Sequence, residues 1–124
     1  MVWLAIGVGG GIGAIARYGV NHLIQGRLAD FPVGILVVNV AGCLVIGLVA
    51  GLVATARVEL SDVGRHLIVT GLLGGFTTFS SFGLDTFTLA RGGHLPLALA
   101  NVAASVLLGL AAVWAGFAAG SWRP

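Results

Sequence analysis

Apolar residues fall along this chain in four long stretches, and polar residues gather in the short connections between them. A helix rises about 1.5 Å per residue, so about 20 residues cross a hydrocarbon core of about 30 Å. The four stretches cover approximately residues 2–24, 32–54, 63–90 and 95–120. The connections QGRLAD, TARVELSD and RGGH hold most of the charge. The pattern predicts an all-α membrane protein with four transmembrane helices, forming a single domain over residues 1–124.

The composition supports the same class. Of the 124 residues, 58% are hydrophobic and 8% are charged, with a mean hydropathy of +1.08, whereas about a quarter of an ordinary globular chain is charged. The first stretch follows Met1 without a basic region and exceeds the length of a signal-peptide core, so we expect it to be retained. The single Cys43 excludes an internal disulfide, and the three histidines are scattered, so no metal site built from them is expected.

The positive charges divide equally between the two sides of the predicted membrane domain. All six are arginines. With four spans, one side receives Arg57, Arg65 and Arg123, and the other receives Arg17, Arg27 and Arg91. Because the asymmetry of basic residues in short loops sets orientation, equal numbers predict insertion either way up. An antiparallel, dual-topology homodimer is the assembly that this balance favours.

Glycine is frequent and regularly spaced within the stretches, with 21 residues in all. Small residues four apart allow helix backbones to approach closely in a membrane. We attribute most of these pairs to packing within one bundle and the remainder to a dimer interface. The pairs are Gly7 and Gly11, Gly9 and Gly13, Gly47 and Gly51, Gly71 and Gly75, and Gly116 and Gly120.

Few polar residues lie within the apolar stretches, and each is a candidate for function because polar groups in hydrocarbon are costly. Arg17 lies about 22 Å along the first span by helical rise, either as an interfacial anchor or as an attractant for anions in a vestibule. Asn39 lies about 10 Å into the second span, and Asn101 and Ser105 share one face of the fourth. These three either bond across helices or line a pathway.

The segment GGFTTFSSFG, residues 74–83, combines a glycine pair with four hydroxyls near the middle of the third span. Glycine weakens a helix, and threonine and serine satisfy freed backbone groups. We therefore expect the third helix to be broken at Gly74 and Gly75. Irregular backbone at membrane depth persists only where it is buried in protein or lines a wet cavity.

Phe79 and Phe82 lie one turn apart in the same segment, among hydroxyls rather than leucines. Because an aromatic ring has an electropositive edge, ring edges beside hydroxyl donors can coordinate an anion without a fixed positive charge. Core packing is the competing interpretation for two spaced phenylalanines.

Three ordered motifs resemble those of the small fluoride channels of the Fluc type, also called CrcB. GGIGAIARY at 10–18 is similar to the family's first-helix motif, P-x-G-x-L-x-V-N-x-x-G appears at 32–42, and GGFTTFSSF at 74–82 is the most specific element. The resemblance covers nearly the whole chain. Asp85 departs from the pattern, since many relatives have the longer glutamate there.

The resemblance implies a passive fluoride-selective channel in a prokaryotic inner membrane, which exports cytoplasmic fluoride and confers fluoride resistance. It implies two pores in each antiparallel homodimer, with fluoride and the lipid bilayer as partners and no nucleic acid. It also implies a structural sodium ion on the dimer axis, held by the backbone carbonyls of Gly74 and Thr77. The pore residues it implies are Asn39, Phe79, Ser80, Ser81, Phe82 and Ser105, with Arg17 in the vestibule.

Other functional classes fit the sequence less well. A small dual-topology, proton-coupled multidrug exporter needs a carboxylate near the midplane, but the first span has no acid and Asp85 lies about 16 Å past Gly74 by helical rise. A purely structural membrane protein would not need hydroxyls around a helix break. WLAIGVGGGIGA has dinucleotide-loop spacing, yet no βαβ unit follows it. We find no catalytic constellation and expect no enzyme.

The arginine balance predicts mixed orientation in the membrane. Single cysteines in the terminal tail and in the first connection, in a background lacking Cys43, should each react from both sides in similar amounts. Labelling with a membrane-impermeant thiol reagent, before and after permeabilisation, measures the two fractions. One uniform orientation would contradict the antiparallel dimer.

Overall fold

The computed structural model describes residues 1–26 and 30–123, and the regular elements within these ranges are helical. Helices α1 (Val2–Gln25), α2 (Val33–Ala54) and α6 (Leu95–Ser121) each form one span. The third span, Asp62–Arg91, consists of α3 (Asp62–Arg65), a π-helix (His66–Leu73), α4 (Gly74–Phe76) and α5 (Phe79–Arg91). All four spans are long and apolar enough to cross a membrane. The predicted all-helical fold with four spans is confirmed.

The third span is interrupted near its middle by two extended residues. Thr77 has φ −82° and ψ 158°, and Thr78 has φ −152° and ψ 118°. A break in this span was expected, but its predicted position at Gly74 and Gly75 is wrong, because both glycines are helical in α4. Gly75 serves close packing instead: a Cβ there would collide with the Gly10 carbonyl of α1.

Glycines bring two pairs of parallel helices into backbone contact. Helix α2 packs along α6 in the most extensive contact of the structure, where a Cβ on Gly47 would strike the Val113 carbonyl and one on Gly116 would strike the Leu44 carbonyl. Helix α1 packs on the π-helix and α4 in the same way. Four of the five predicted glycine pairs thus pack within the chain, while Gly7 and Gly11 face open space.

Two arginines join the α2–α3 connection to the C-terminal segment. The Arg57 guanidinium donates to the Trp122 carbonyl at 3.2 Å, and the Arg123 guanidinium donates to the Thr55 carbonyl at 3.1 Å. These connections therefore lie on one side of the helices, as the charge assignment assumed. Arg27, assigned to the opposite side, lies outside the described residues.

Because glycines hold α2 against α6, replacing a glycine with alanine should lower stability at this contact and not at an open position. Gly116→Ala places a Cβ against backbone atoms that cannot rotate away, so we expect a loss of about 1–3 kcal/mol in the free energy of unfolding. The matched control is Gly19→Ala on α1, where a Cβ meets no atom within 4 Å. Thermal melts in detergent should show a lower Tm for the first variant only, and equal Tm values would contradict this account of the packing.

Candidate functional site

The break in the third span opens into a cavity of about 440 Å³ between α2, α5 and α6. Four of the residues predicted from the sequence line it, on three different helices: Asn39, Phe79, Phe82 and Ser105. The remaining wall is mainly apolar and formed by Gly42, Cys43, Ile46, Val69, Leu73, Gly74, Thr77, Thr78 and Val106. A small number of polar groups therefore converge on an apolar cavity, as in many binding sites and pores.

Asn39 holds the extended backbone at the break. Its Oδ1 accepts the Thr78 N–H at 2.8 Å, and its Nδ2 donates to the Thr78 carbonyl at 3.0 Å. The Asn39 side-chain amide thus bonds both the N–H and the carbonyl of Thr78, in the way that the backbone of a neighbouring β-strand would. In a continuous helix the Thr78 N–H would donate to the Gly74 carbonyl. Here it donates to Asn39 instead. Nδ2 has two protons, so one remains for a group in the cavity.

Thr78 also begins α5, and it connects the predicted hydroxyls. Its side chain, 8% exposed, accepts the Ser81 N–H at 3.2 Å as an N-cap. Its hydroxyl donates to Ser81 Oγ at 3.1 Å and lies 3.2 Å from Ser80 Oγ. A hydroxyl has one proton, so Ser80 donates in its contact with Thr78, and the Ser81 proton is left for another acceptor.

Ser80 and Ser81 do not line the cavity; they reach it through Thr78. Sequence reasoning treated Thr78 as a support for the backbone and left it out of the site. The T-x-x-S spacing ahead of α5 was the available signal, because threonine is a preferred N-cap residue and Ser81 supplies the capped N–H.

The two phenylalanines pair across one turn of α5. Their ring centroids are 5.4 Å apart and their planes are inclined by 48°, a tilted arrangement that aromatic pairs favour. Phe79 is 83% exposed in the single chain, whereas Phe82 is partly covered. Both phenylalanines line the cavity, which places two aromatic rings beside the break.

Arg17 contacts the backbone at the break. Its guanidinium donates to the Thr77 carbonyl at 3.3 Å, although it is not among the cavity-lining residues. This contact offsets the negative carbonyl end of α4, while the N-terminus of α5 contributes a partial positive charge nearby. Arg17 and the N-terminus of α5 thus place positive charge beside the cavity without a basic side chain in its wall.

The carbonyls implied to hold sodium differ in their surroundings. The Gly74 carbonyl has lost the Thr78 N–H to Asn39, whereas the Thr77 carbonyl accepts the Arg17 guanidinium. Among the described residues, no group of three or more His, Cys, Asp or Glu side chains could hold a metal ion. A cation here would therefore depend on backbone oxygens, and a carbonyl freed of its helical partner is a suitable ligand for a hard cation.

Asp85 lies away from this site. It lines a separate cavity of about 320 Å³ with Asp30, Asn21 and Gln25, toward the connection between α1 and α2. The residues that line the cavity at the break include no carboxylate.

Four membrane-length helices, with a break in the third span and a mainly apolar cavity that carries a few uncharged polar groups, define a small multi-pass membrane protein. The model of the family described as "CrcB-like protein, Camphor Resistance (CrcB)" matches residues 4–117, and this chain belongs to that family.

Curated relatives match over most of their length. A protein of Paracoccus denitrificans (strain Pd 1222) named "Fluoride-specific ion channel FluC" is 50% identical over 122 residues, covering 95% of this chain and 93% of the relative. Proteins of the same name from Solibacter usitatus (strain Ellin6076) and Opitutus terrae are 48% and 44% identical over 117 residues each. They cover 94% and 93% of this chain, and 95% and 89% of the relatives. The resemblance seen in the three motifs is confirmed.

The paired bonds of Asn39 predict that its loss destabilises the break. Asn39→Leu leaves the Thr78 N–H and carbonyl without partners, and an unsatisfied buried polar group costs about 1–3 kcal/mol. We expect a lower Tm in detergent. The control is Cys43→Ala, one turn along α2 in the same cavity wall, which should melt closer to the unsubstituted protein. Equal melting temperatures for the two variants would show that the break needs no support from Asn39.

Proposed function

We propose that this protein is a passive fluoride-selective channel that exports fluoride across the prokaryotic inner membrane. The observation that carries the proposal is the cavity at the break, where amide, hydroxyl and aromatic groups converge without a carboxylate in the wall. The names of the relatives support the same substrate. Hydrogen fluoride enters cells as a neutral acid and dissociates inside, so a passive exit for the anion confers resistance.

Fluoride is strongly hydrated, so the pore must replace water with other donors. The second Nδ2 proton of Asn39 on α2 and the hydroxyl of Ser105 on α6 are available in the cavity wall, and the rings of Phe79 and Phe82 complete the surroundings. The basic side chain at the break, Arg17, donates to the Thr77 carbonyl and does not itself line the cavity. An anion held by dipoles and ring edges alone is released readily, as conduction requires.

The membrane potential supplies the driving force for export. One elementary charge moving through 100 mV gains about 2.3 kcal/mol, and an inside-negative potential expels an anion. Asp85 lines a different cavity, so a proton-coupled carrier, the alternative for a small dual-topology protein, has no carboxylate at the break on which to couple substrate and proton.

The working assembly is an antiparallel homodimer with two pores. Phe79 is 83% exposed in the single chain, and Gly74 and Ser80 beside the extended residues are exposed as well. Irregular backbone at membrane depth cannot face lipid, so a second copy is the natural cover for this surface. The equal division of the arginines supports an antiparallel arrangement.

A structural sodium ion on the dimer axis completes the proposal, with Gly74 and Thr77 as its backbone ligands. Two carbonyls from each chain would give the oxygen coordination that a hard cation prefers. Replacing sodium exhaustively with a large organic cation should then lower both the Tm and fluoride flux. Insensitivity of both quantities to sodium would remove the ion from the proposal and leave the channel assignment intact.

Reconstituted liposomes test the channel directly. Vesicles loaded with potassium fluoride should release fluoride to an external electrode when valinomycin clamps the voltage, without any pH gradient. Vesicles loaded with potassium chloride should stay full, because chloride is larger than fluoride and accepts weaker hydrogen bonds from the amide and hydroxyl donors of the pore. Equal chloride release, or a strict requirement for a proton gradient, would contradict the proposal.

The phenylalanines are tested in the same assay. Phe79→Ile and Phe82→Ile keep apolar bulk but remove the electropositive ring edge, so each should reduce fluoride release several-fold. Phe87→Ile is the matched control, since Phe87 lies on the same helix and does not line the cavity. If all three variants release fluoride at the same rate, the two cavity phenylalanines serve packing alone.

A further inference from the structure

A deeply buried asparagine connects α6 to the pore-lining helix. Asn101 is 2% exposed, and its Nδ2 donates to Thr86 Oγ1 at 2.9 Å. The Thr86 hydroxyl in turn donates to the carbonyl of Phe82 at 2.8 Å. An unbroken chain of hydrogen bonds thus runs from the N-terminal third of α6 to the peptide of a cavity-lining phenylalanine. Neither Asn101 nor Thr86 lines the cavity, so an anion in the cavity does not account for their bond.

The position of this bond links it to the cavity. Helices α5 and α6 are antiparallel and joined by the short connection at 92–94. Phe82 lies one turn before Thr86 on α5, and Ser105 lies one turn after Asn101 on α6. In antiparallel helices both steps lead in the same direction. The bond between Thr86 and Asn101 therefore lies one turn away from the level where Phe82 and Ser105 both line the cavity.

Packing alone specifies the register of these two helices weakly. On the less exposed face of α6 beside Asn101, Ala98 is buried and Ala104 is partly covered, and such small side chains offer little steric resistance to sliding. A hydrogen bond requires close distance and alignment, so it restricts sliding and rotation where alanines do not. A shift of one residue along a helix is about 1.5 Å, which exceeds the difference in radius between fluoride and chloride.

We propose that Asn101 and Thr86 are positioning residues that set the spacing between Phe82 and Ser105, and thereby the discrimination of the pore between fluoride and larger anions. This inference rests on the proposed channel function. The two residues contact no anion themselves. They act by fixing α5 against α6, and the Thr86 hydroxyl additionally holds the carbonyl of Phe82.

The experiment compares the ratio of fluoride to chloride release from liposomes across a set of matched variants. Thr86→Val is nearly isosteric and removes only the hydroxyl, Asn101→Leu removes the partner amide, and the double variant removes both. Thr86→Ser retains the hydroxyl. Thr88→Val makes the same change two residues away on α5, where Thr88 is exposed and lines the separate cavity with Asp85.

The expected result is a several-fold lower fluoride-to-chloride ratio for Thr86→Val and Asn101→Leu, with the double variant no worse than either, because residues that act through one bond are not additive. Thr86→Ser should restore the ratio, and Thr88→Val should leave it unchanged. A ratio in Thr86→Val equal to that of the unsubstituted protein, or an equal change in Thr88→Val, would overturn the proposal.

A second measurement separates this inference from the channel assignment. Melting temperatures of the two single variants and the double variant form a cycle that reports the coupling between Asn101 and Thr86 without any ion flux. If the unsubstituted protein released no fluoride, the channel assignment would fail whatever the cycle showed. Independent losses of stability in the cycle would refute the positioning bond even in an active channel.

Discussion

The structure depends on satisfying backbone polar groups where no water is available. A helix that is interrupted in hydrocarbon frees N–H and carbonyl groups that cost several kcal/mol each if left alone. Here the extended Thr78 has both groups bound by Asn39, and the Thr77 carbonyl is bound by Arg17. Because these partners come from α2 and α1, neighbouring helices stabilise the break, and a cavity with a few polar groups can exist beside it.

Two kinds of contact hold the helices together: close packing at glycines and hydrogen bonds made by polar side chains. Where the bundle must be tight, glycines bring backbones together over long parallel contacts, as between α2 and α6. Where position must be specified, directional polar bonds serve, as at Asn39 and at Asn101. The third span contacts different helices on either side of the break. Residues 62–76 pack mainly on α1, whereas α5 packs mainly on α6. The cavity lies at that junction.

The sequence predicted the features that arise from local pattern. Hydropathy located the four spans, and four of the residues singled out from the sequence, Asn39, Phe79, Phe82 and Ser105, line one cavity. The break was predicted at Gly74 and Gly75 because glycine weakens a helix, but the extended residues are Thr77 and Thr78. The decisive bond instead joins residues 39 positions apart, which spacing along the third span cannot reveal.

The contact between α2 and α6 also has a consequence for biogenesis. The two helices that share the longest interface are the second and the last to be synthesised. Until α6 has been synthesised, the glycine face of α2 has no partner helix and contacts lipid or the translocon. Lipid chains cannot pack against this face as closely as the backbone of α6 does. Commitment to the folded bundle therefore comes at the end of translation, and a chain cut short before residue 95 would lack this partner for α2.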